Sequence, residues 1–545
     1  MSVHPEEQLD PIKHVVMLIL ENHSFDQMLG SFKEIYPDLE GIDPDAPHSN
    51  ADSGGKIYSQ EPTTERQMML DPHHEVSHVR VQLEDYNGGF VRDFAGAYPN
   101  STEEARRFIM GYYPLDSLPA LHALGREFTI CDHWHSSLPG PTWPNRFFAL
   151  SGTSNGQIDM PEDGTHSADL GGYFHQTQHT LFDRLNEQGI DWKVYFHDIP
   201  QTTVLTHQRE SQNAARYFYV HQFFEDARGL EADFPQFSLV EPNYMGWGRN
   251  DDHPPHDVMR AEKLIADVYN AMRANEALWH STLLIIFYDE HGGFYDHVIP
   301  PPAIPPDDLH DGYDFNQYGL RVPAILVSPW VKQGVEHLLF DHTSVLKYLT
   351  DKWHLGPLGR RTAAANSIGV AISEGTPRLD TCARIELTEE QLRPPDPEAE
   401  EKAFDLVNAH QTALTALGRY LAAEASGLAP RAYSGVARVL EWFKAKVAQP
   451  FFPGKCRHTK LSAAMVEPDR LAHHIDAGPK DNVARFLIRR KQQAVAALAS
   501  SIRDDSNPVQ RDHALRTLAM ITGRKYYREP NGLEHARNWL ARHGR

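Results

Sequence analysis

Cysteine, positive charge and long apolar runs are all scarce in this chain. Its 545 residues include only 3 cysteines. They lie far apart at Cys131, Cys382 and Cys456, which excludes a disulfide framework and a cysteine zinc knuckle. Lys and Arg number 52 against 74 Asp and Glu, a net charge of −22. That balance argues against a nucleic-acid-binding surface, because phosphate contacts need clustered cations, but it leaves room for a small basic pocket. No apolar stretch is long enough to span a bilayer, and Val15 to Leu20 is far too short. The N-terminus, MSVHPEEQLDPIKH, has acids and no basic start ahead of that run. It does not read as a signal peptide, and a cytoplasmic setting is the expectation.

What the chain does have is histidine, 32 in all, much of it beside Asp, Pro or Gly ahead of the C-terminal third. A hydrophobic share of 41% supports a sizeable interior, and the length exceeds one compact core. Character changes after Thr376, where Pro394-Pro395-Asp396-Pro397 leads into a long Ala- and Leu-rich helix ending near Gly427. Residues 1–375 are expected to form one domain and residues 376–545 a mainly helical region. Further helices are expected around Val483 to Leu498 and from Asn507 to Gly523, as packing or interaction elements.

Two strand signals end in polar chemistry. Leu283 to Phe287 is apolar without alternation, as in a buried parallel strand, and delivers Asp289, Glu290 and His291 before a Gly-Gly turn and Asp296-His297. Val15 to Leu20 likewise ends in Glu21-Asn22-His23-Ser24. Ligands of open α/β sheets bind beyond the carboxyl ends of strands, and adjacent carboxylates there call for a metal or a shared proton. Between them, Gly140-Pro141-Thr142-Trp143-Pro144-Asn145-Arg146 is a tight turn feeding a helix. It puts the Thr142 hydroxyl among free backbone N–H groups that favour an anion. Asp257 to Ala274 has helical spacing, Val322 to Val327 reads as a strand, and Asp341-His342-Thr343-Ser344 caps a helix over Val345 to Trp353. Asp71 and Pro72 read as the N-cap and first residue of a helix through Leu83.

Three chemistries compete for these residues. Gly152-Thr153-Ser154-Asn155-Gly156 fits the nucleophile elbow, but a helix precedes it where a strand is required. His74-Glu75-Val76-Ser77-His78 fits the H-E-x-x-H zinc-protease pattern, without a third ligand at the expected spacing. The third is the set Glu21, Asn22, Thr142, Asp289 and Glu290. These are oxygen donors suited to a divalent cation, zinc, calcium or magnesium, and such a cation makes a bound hydroxyl a nucleophile. This set accounts for more residues than either rival. A non-catalytic interaction protein with a decayed hydrolase domain is the remaining alternative, and the intact acids and Thr142 speak against decay.

The chain also resembles the bacterial phosphoesterase family of C-type phospholipases and AcpA-like acid phosphatases, within the alkaline phosphatase-like superfamily. The resemblance runs from about Pro11 to Arg361, through blocks such as HVVMLILENHSFDQMLG, DPHHEVSHVRVQLE, CDHWHSSLPGPTWPNRFFALSGT, DDHPPHDVMRAEKLI, TLLIIFYDEHGGFYDHVIPP and FDHTSVLKYLTDKW. It implies an α/β fold with a mostly parallel central sheet flanked by helices, and a phosphoric-ester hydrolase whose substrates include phospholipids. Thr142 falls at the family's nucleophile and is expected to pass through a phosphoenzyme. Glu21, Asn22, Asp289 and Glu290 fall at its metal-site acids and amide, and His74 and His253 at its phosphate-pocket histidines. His291, His297 and His342 lie in matching blocks as surrounding residues. His23 stands where the family commonly has Arg, which would make local charge depend on pH. Ala261 stands where Gly is frequent, and the β-rich C-terminal modules of the larger phospholipases are missing.

Overall fold

A computed structural model describes residues 10–426 except 162–172, 246–247, 310–311, 373–374, 395–401 and 404–405, together with 533–534 and 537. Eight strands build one central sheet: β1 (His14–Leu20), β2 (Thr129–Cys131), β3 (Trp192–Phe196), β4 (Tyr217–Tyr219), β5 (Phe237–Val240), β6 (Thr282–Tyr288), β7 (Ala324–Val327) and β8 (Gly334–Glu336). Their spatial order is β8-β2-β7-β6-β1-β5-β3-β4. Every pairing is parallel except the two made by β7, which runs against both its neighbours. The two unbroken apolar runs of the sequence are thus adjacent central strands, in register from His14 against Thr282 to Leu20 against Tyr288. Both are buried along their whole length, which is why neither alternates polar with apolar.

Among the helices are α1 (Phe25–Leu29), α2 (Val76–Gln82), α3 (Pro119–Glu127), α4 (Thr142–Ser151), α5 (Val258–Arg273), α6 (His342–Trp353) and α7 (Ala409–Ser426). The Asp257 side chain caps α5 by accepting from the Met259 N–H at 3.0 Å. Asp341 and Ser344 form a capping box on α6. One start differs from expectation: α2 begins at Val76 with Glu75 at the N-cap position, and Asp71 to His74 lie outside the helix. His74 Nδ1 instead donates to the Pro72 carbonyl at 2.9 Å, a local bond that competes with helix formation.

The region beyond Thr376 does not stand apart where it is described. Ala413, Leu414, Ala416, Leu417 and Leu421 of α7 are buried in the same apolar cluster as β1 and β6. The expected helices at 483–498 and 507–523 lie outside the described residues. Among the described residues no helix is long and apolar enough to cross a membrane.

Candidate active site

Because β1 and β6 are parallel neighbours, their carboxyl ends deliver Glu21-Asn22 and Asp289-Glu290 to one place. The Asp289 N–H donates to the Leu20 carbonyl at 3.1 Å, tying the two exits together. Asn22 adopts a left-handed φ of +61°, and the Gly-Gly turn packs directly on it. A Cβ on Gly292, itself at φ +61°, would lie 2.2 Å from the Asn22 carbonyl oxygen. Only glycine fits that close approach. All four side chains are buried.

Helix α4 brings a hydroxyl and a cation to these acids. Thr142, its first residue, donates through Oγ1 to Glu290 Oε1 at 3.1 Å. Arg146, four residues on and so on the same face, donates to Glu21 Oε1 at 2.9 Å and to Asp289 Oδ2 at 2.8 Å. A third bond goes to the Tyr244 hydroxyl at 3.1 Å. Sequence reasoning assigned no role to Arg146, although its spacing from Thr142 was a usable signal. Both oxygens of Asp289 are engaged, since Oδ1 also accepts from the Glu290 N–H at 2.9 Å. By contrast Glu21 Oε2, Asn22 Oδ1 and Glu290 Oε2 are buried with no hydrogen-bond partner. Burial outweighs Arg146 and pushes the Glu21 carboxyl well above the usual range; burial and then the Asp289 charge do the same to Glu290.

Two imidazoles line the opposite wall. With Nδ1 turned to Pro72, His74 presents Nε2 at 3.7 Å from Glu290 Oε1, and the Asn22 amide lies 3.3 Å from its ring. His253 Nδ1 donates to the Pro254 carbonyl at 2.8 Å, leaving Nε2 buried without a partner. The rings meet edge to face, 5.8 Å apart. Burial, and then the neighbouring His74, drive the His253 pKa well below its ordinary value. Unpartnered carboxylate and amide oxygens beside a hydroxyl are the donor set of a hard or borderline divalent cation, so these residues fit one.

The phosphoesterase family matches residues 12–356. The chain belongs to that family. As a phosphoesterase it is a hydrolase acting on phosphoric ester bonds. It is 31% identical to non-specific phospholipase C3 of Arabidopsis thaliana over 408 residues, 68% of this chain and 75% of that one. It is 34% identical to non-specific phospholipase C6 of the same plant over 403 residues, 68% and 74% of the two chains. With the non-hemolytic phospholipase C of Pseudomonas aeruginosa it shares 28% identity over 452 residues, 71% of this chain and 62% of that one.

The other histidines of the phosphoesterase take supporting or separate places. His342 Nδ1 accepts from the Trp134 indole at 3.3 Å, so its Nε2 donates to the Asp289 carbonyl at 2.7 Å and braces the acidic pair. His291 turns away from Thr142 to the Gln82 amide oxygen at 2.8 Å. His297 contacts none of these residues. It pairs with Asp26 at 2.8 Å and Glu40 at 3.0 Å, beside the buried Arg321–Asp296 pair. Against the burial that lowers it, the Asp26 charge raises the His297 pKa to about 9. His23 is not the pH-dependent charge that its family position suggested. It lies buried between Gln27 and the Asp252 carbonyl, stacked on Phe294, and burial drives its pKa down to about 4.

The H-E-x-x-H pattern does not assemble. His74 precedes α2 and faces Glu290, whereas His78 binds Asp93 at 2.8 Å and Glu75 binds His73 at 3.1 Å. Gly152 is the left-handed C-cap of α4, so the elbow-like pentapeptide follows a helix and lacks its strand. Two residues that sequence reasoning passed over do reach the acids. The Asp251 carbonyl accepts from the Glu21 N–H at 2.9 Å, and His410 of α7 places Nδ1 2.6 Å from Glu21 Oε1.

Proposed function

We propose that this hydrolase cleaves phospholipids in the manner of a C-type phospholipase, through a phosphorylated Thr142. The carrying observation is the Thr142 hydroxyl at the N-terminus of α4, hydrogen-bonded to Glu290, whose second oxygen is buried without a partner, as are oxygens of Glu21 and Asn22. The three relatives compared above are phospholipases C, which supports a lipid substrate. A bound divalent cation would supply charge neutralisation and lower the hydroxyl pKa. Glu290, whose burial raises its proton affinity, takes the Thr142 proton as Oγ attacks phosphorus. The phosphorus–oxygen bond to the glycerol carbon chain breaks, and diacylglycerol leaves as the alcohol, taking the proton that Glu290 received from Thr142. The transferred phosphoryl group lies at the start of α4, beside Nε2 of His74 and of His253, whose Nδ1 atoms are held by backbone carbonyls. Glu290 then takes a proton from the water that attacks phosphorus and passes it to the Thr142 oxygen as the phosphorus–Oγ1 bond breaks, and the headgroup phosphate departs. Arg146 and His342 hold the acids in place throughout.

The test is hydrolysis of p-nitrophenyl phosphorylcholine, p-nitrophenyl phosphate and a phosphodiester, with and without chelator. Phosphorylcholine ester cleavage, lost on chelation and restored by added divalent cation, is expected. Thr142→Ala should lose on the order of a thousandfold in kcat with its fold intact. Full activity in that variant refutes the covalent route, and a preference for the monoester alone would favour an acid phosphatase.

A further inference from the structure

His410 is a buried histidine that touches a carboxylate without hydrogen-bonding to it. It lies 0% exposed, in the first turn of α7, and neither ring nitrogen has a hydrogen-bond partner. Its Nδ1 is 2.6 Å from Glu21 Oε1, yet the approach is off the hydrogen-bonding direction. Buried imidazoles that only fill space normally satisfy at least one nitrogen. An imidazolium here would add a second positive charge beside Arg146. Asp251 presents the same puzzle: Oδ1 pairs with His256, while Oδ2 is buried and bare. One ligand atom each from Glu21, Asp251 and His410 lies within 4.8 Å of the others, and all three residues are buried.

The position of His410 is built and does not depend on its own contacts. Gln411 donates to the Tyr244 carbonyl at 2.7 Å, and Asn408 caps the helix by accepting from the Gln411 N–H at 2.8 Å. The ring stands edge-on to Tyr244, 4.6 Å away. Tyr244 is also the hydroxyl that receives Arg146, so the docked helix and the acids share a support.

We propose that Glu21, Asp251 and His410 together hold a divalent cation, and that the imidazole from the C-terminal region tunes the site toward zinc-like ions. This rests on the reading of a cation-assisted phosphoesterase and deepens it. Oxygen donors alone suit calcium or magnesium, whereas an added nitrogen favours the borderline transition metals. The region after Thr376 then completes the site as well as packing on it.

The full-length chain, stripped by chelator and reloaded, provides the test by elemental analysis and competition titration. Wild type should bind zinc and hold it against excess calcium. His410→Gln should bind zinc about 100-fold or more weakly, since even supporting residues cost 10–100-fold, and should lose its preference over calcium. The visible spectrum of the cobalt-loaded protein should change between the two. Zinc X-ray absorption on the unmutated chain removes dependence on the variant's folding, and imidazole scattering is expected there. An all-oxygen shell, or equal zinc affinity and identical cobalt spectra in wild type and His410→Gln, overturns the assignment while leaving a cation-assisted site standing. Failure of wild type to retain any divalent cation overturns both.

Discussion

Replacing Arg146 by methionine would remove the guanidinium that bridges Glu21 and Asp289 while keeping most of the side-chain length. Arg146 is 3% exposed and bonds both carboxylates and the Tyr244 hydroxyl. Deleting one partner of a buried ion pair costs about 3–5 kcal/mol, because the remaining charges stay buried without compensation. The loss should depend on pH. Burial already holds the Glu21 carboxyl high, with Arg146 the main influence pulling it down, so the variant raises it further. A group whose folded pKa lies above its unfolded value contributes stability that is present below the unfolded value and is lost as pH rises through the folded one. Wild type and variant therefore lose stability in parallel as pH rises toward the wild-type Glu21 value. They diverge only above the wild-type Glu21 value, where Glu21 ionises in wild type and not yet in the variant, by up to roughly 1.4 kcal/mol per pH unit. Urea titrations of the metal-free chain, followed by tryptophan fluorescence, measure this directly. A loss below about 1 kcal/mol would refute the role given to Arg146.

Glu262 offers a second titration. It accepts from the backbone N–H groups of Ala120 and Leu121 at the start of α3, and burial pushes its carboxyl up to about 7. Its stabilising contribution is present below about pH 4.5 and lost as pH rises through about 7. Glu262→Gln, which cannot ionise, should gain on wild type by about 3 kcal/mol between those limits; parallel pH profiles would contradict this. His78→Ala should leave ester hydrolysis near wild type, since His78 is partly exposed and bonds Asp93 rather than the acidic site. Abolished activity in that variant would instead revive a metal role for the H-E-x-x-H sequence.

The parts of the site that were legible from sequence are those where chain continuity carries the information. Two apolar runs each ended in acids, and the physics of buried parallel strands places such ends side by side. Thr142 was visible because a Gly-Pro turn announces a helix start. The parts that were not legible depend on contacts across long separations. His410 reaches Glu21 only because α7 docks on Tyr244, and nothing local to residues 408–411 marks that destination. His74 and His78 looked like one helical face until Pro72 drew His74 out of the helix. His297 seemed aimed at the acids, and Asp26 captures it elsewhere. Histidines beside acids in sequence are a weak guide in a chain this rich in both, because each imidazole goes to whichever carboxylate the fold brings nearest.

The close approach of Gly292 to Asn22 has a consequence for how this protein can vary. The two strand exits are joined backbone to backbone, so a side chain at 292 would displace the Asn22 peptide as well as strain its own turn. Residues 21–22 and 289–293 are therefore a single heritable part, although they are separated by more than half of the described chain. Drift at one end has no neutral path unless the other end moves with it. A side chain at 292 is therefore tolerated only together with a shift of the Asn22 peptide.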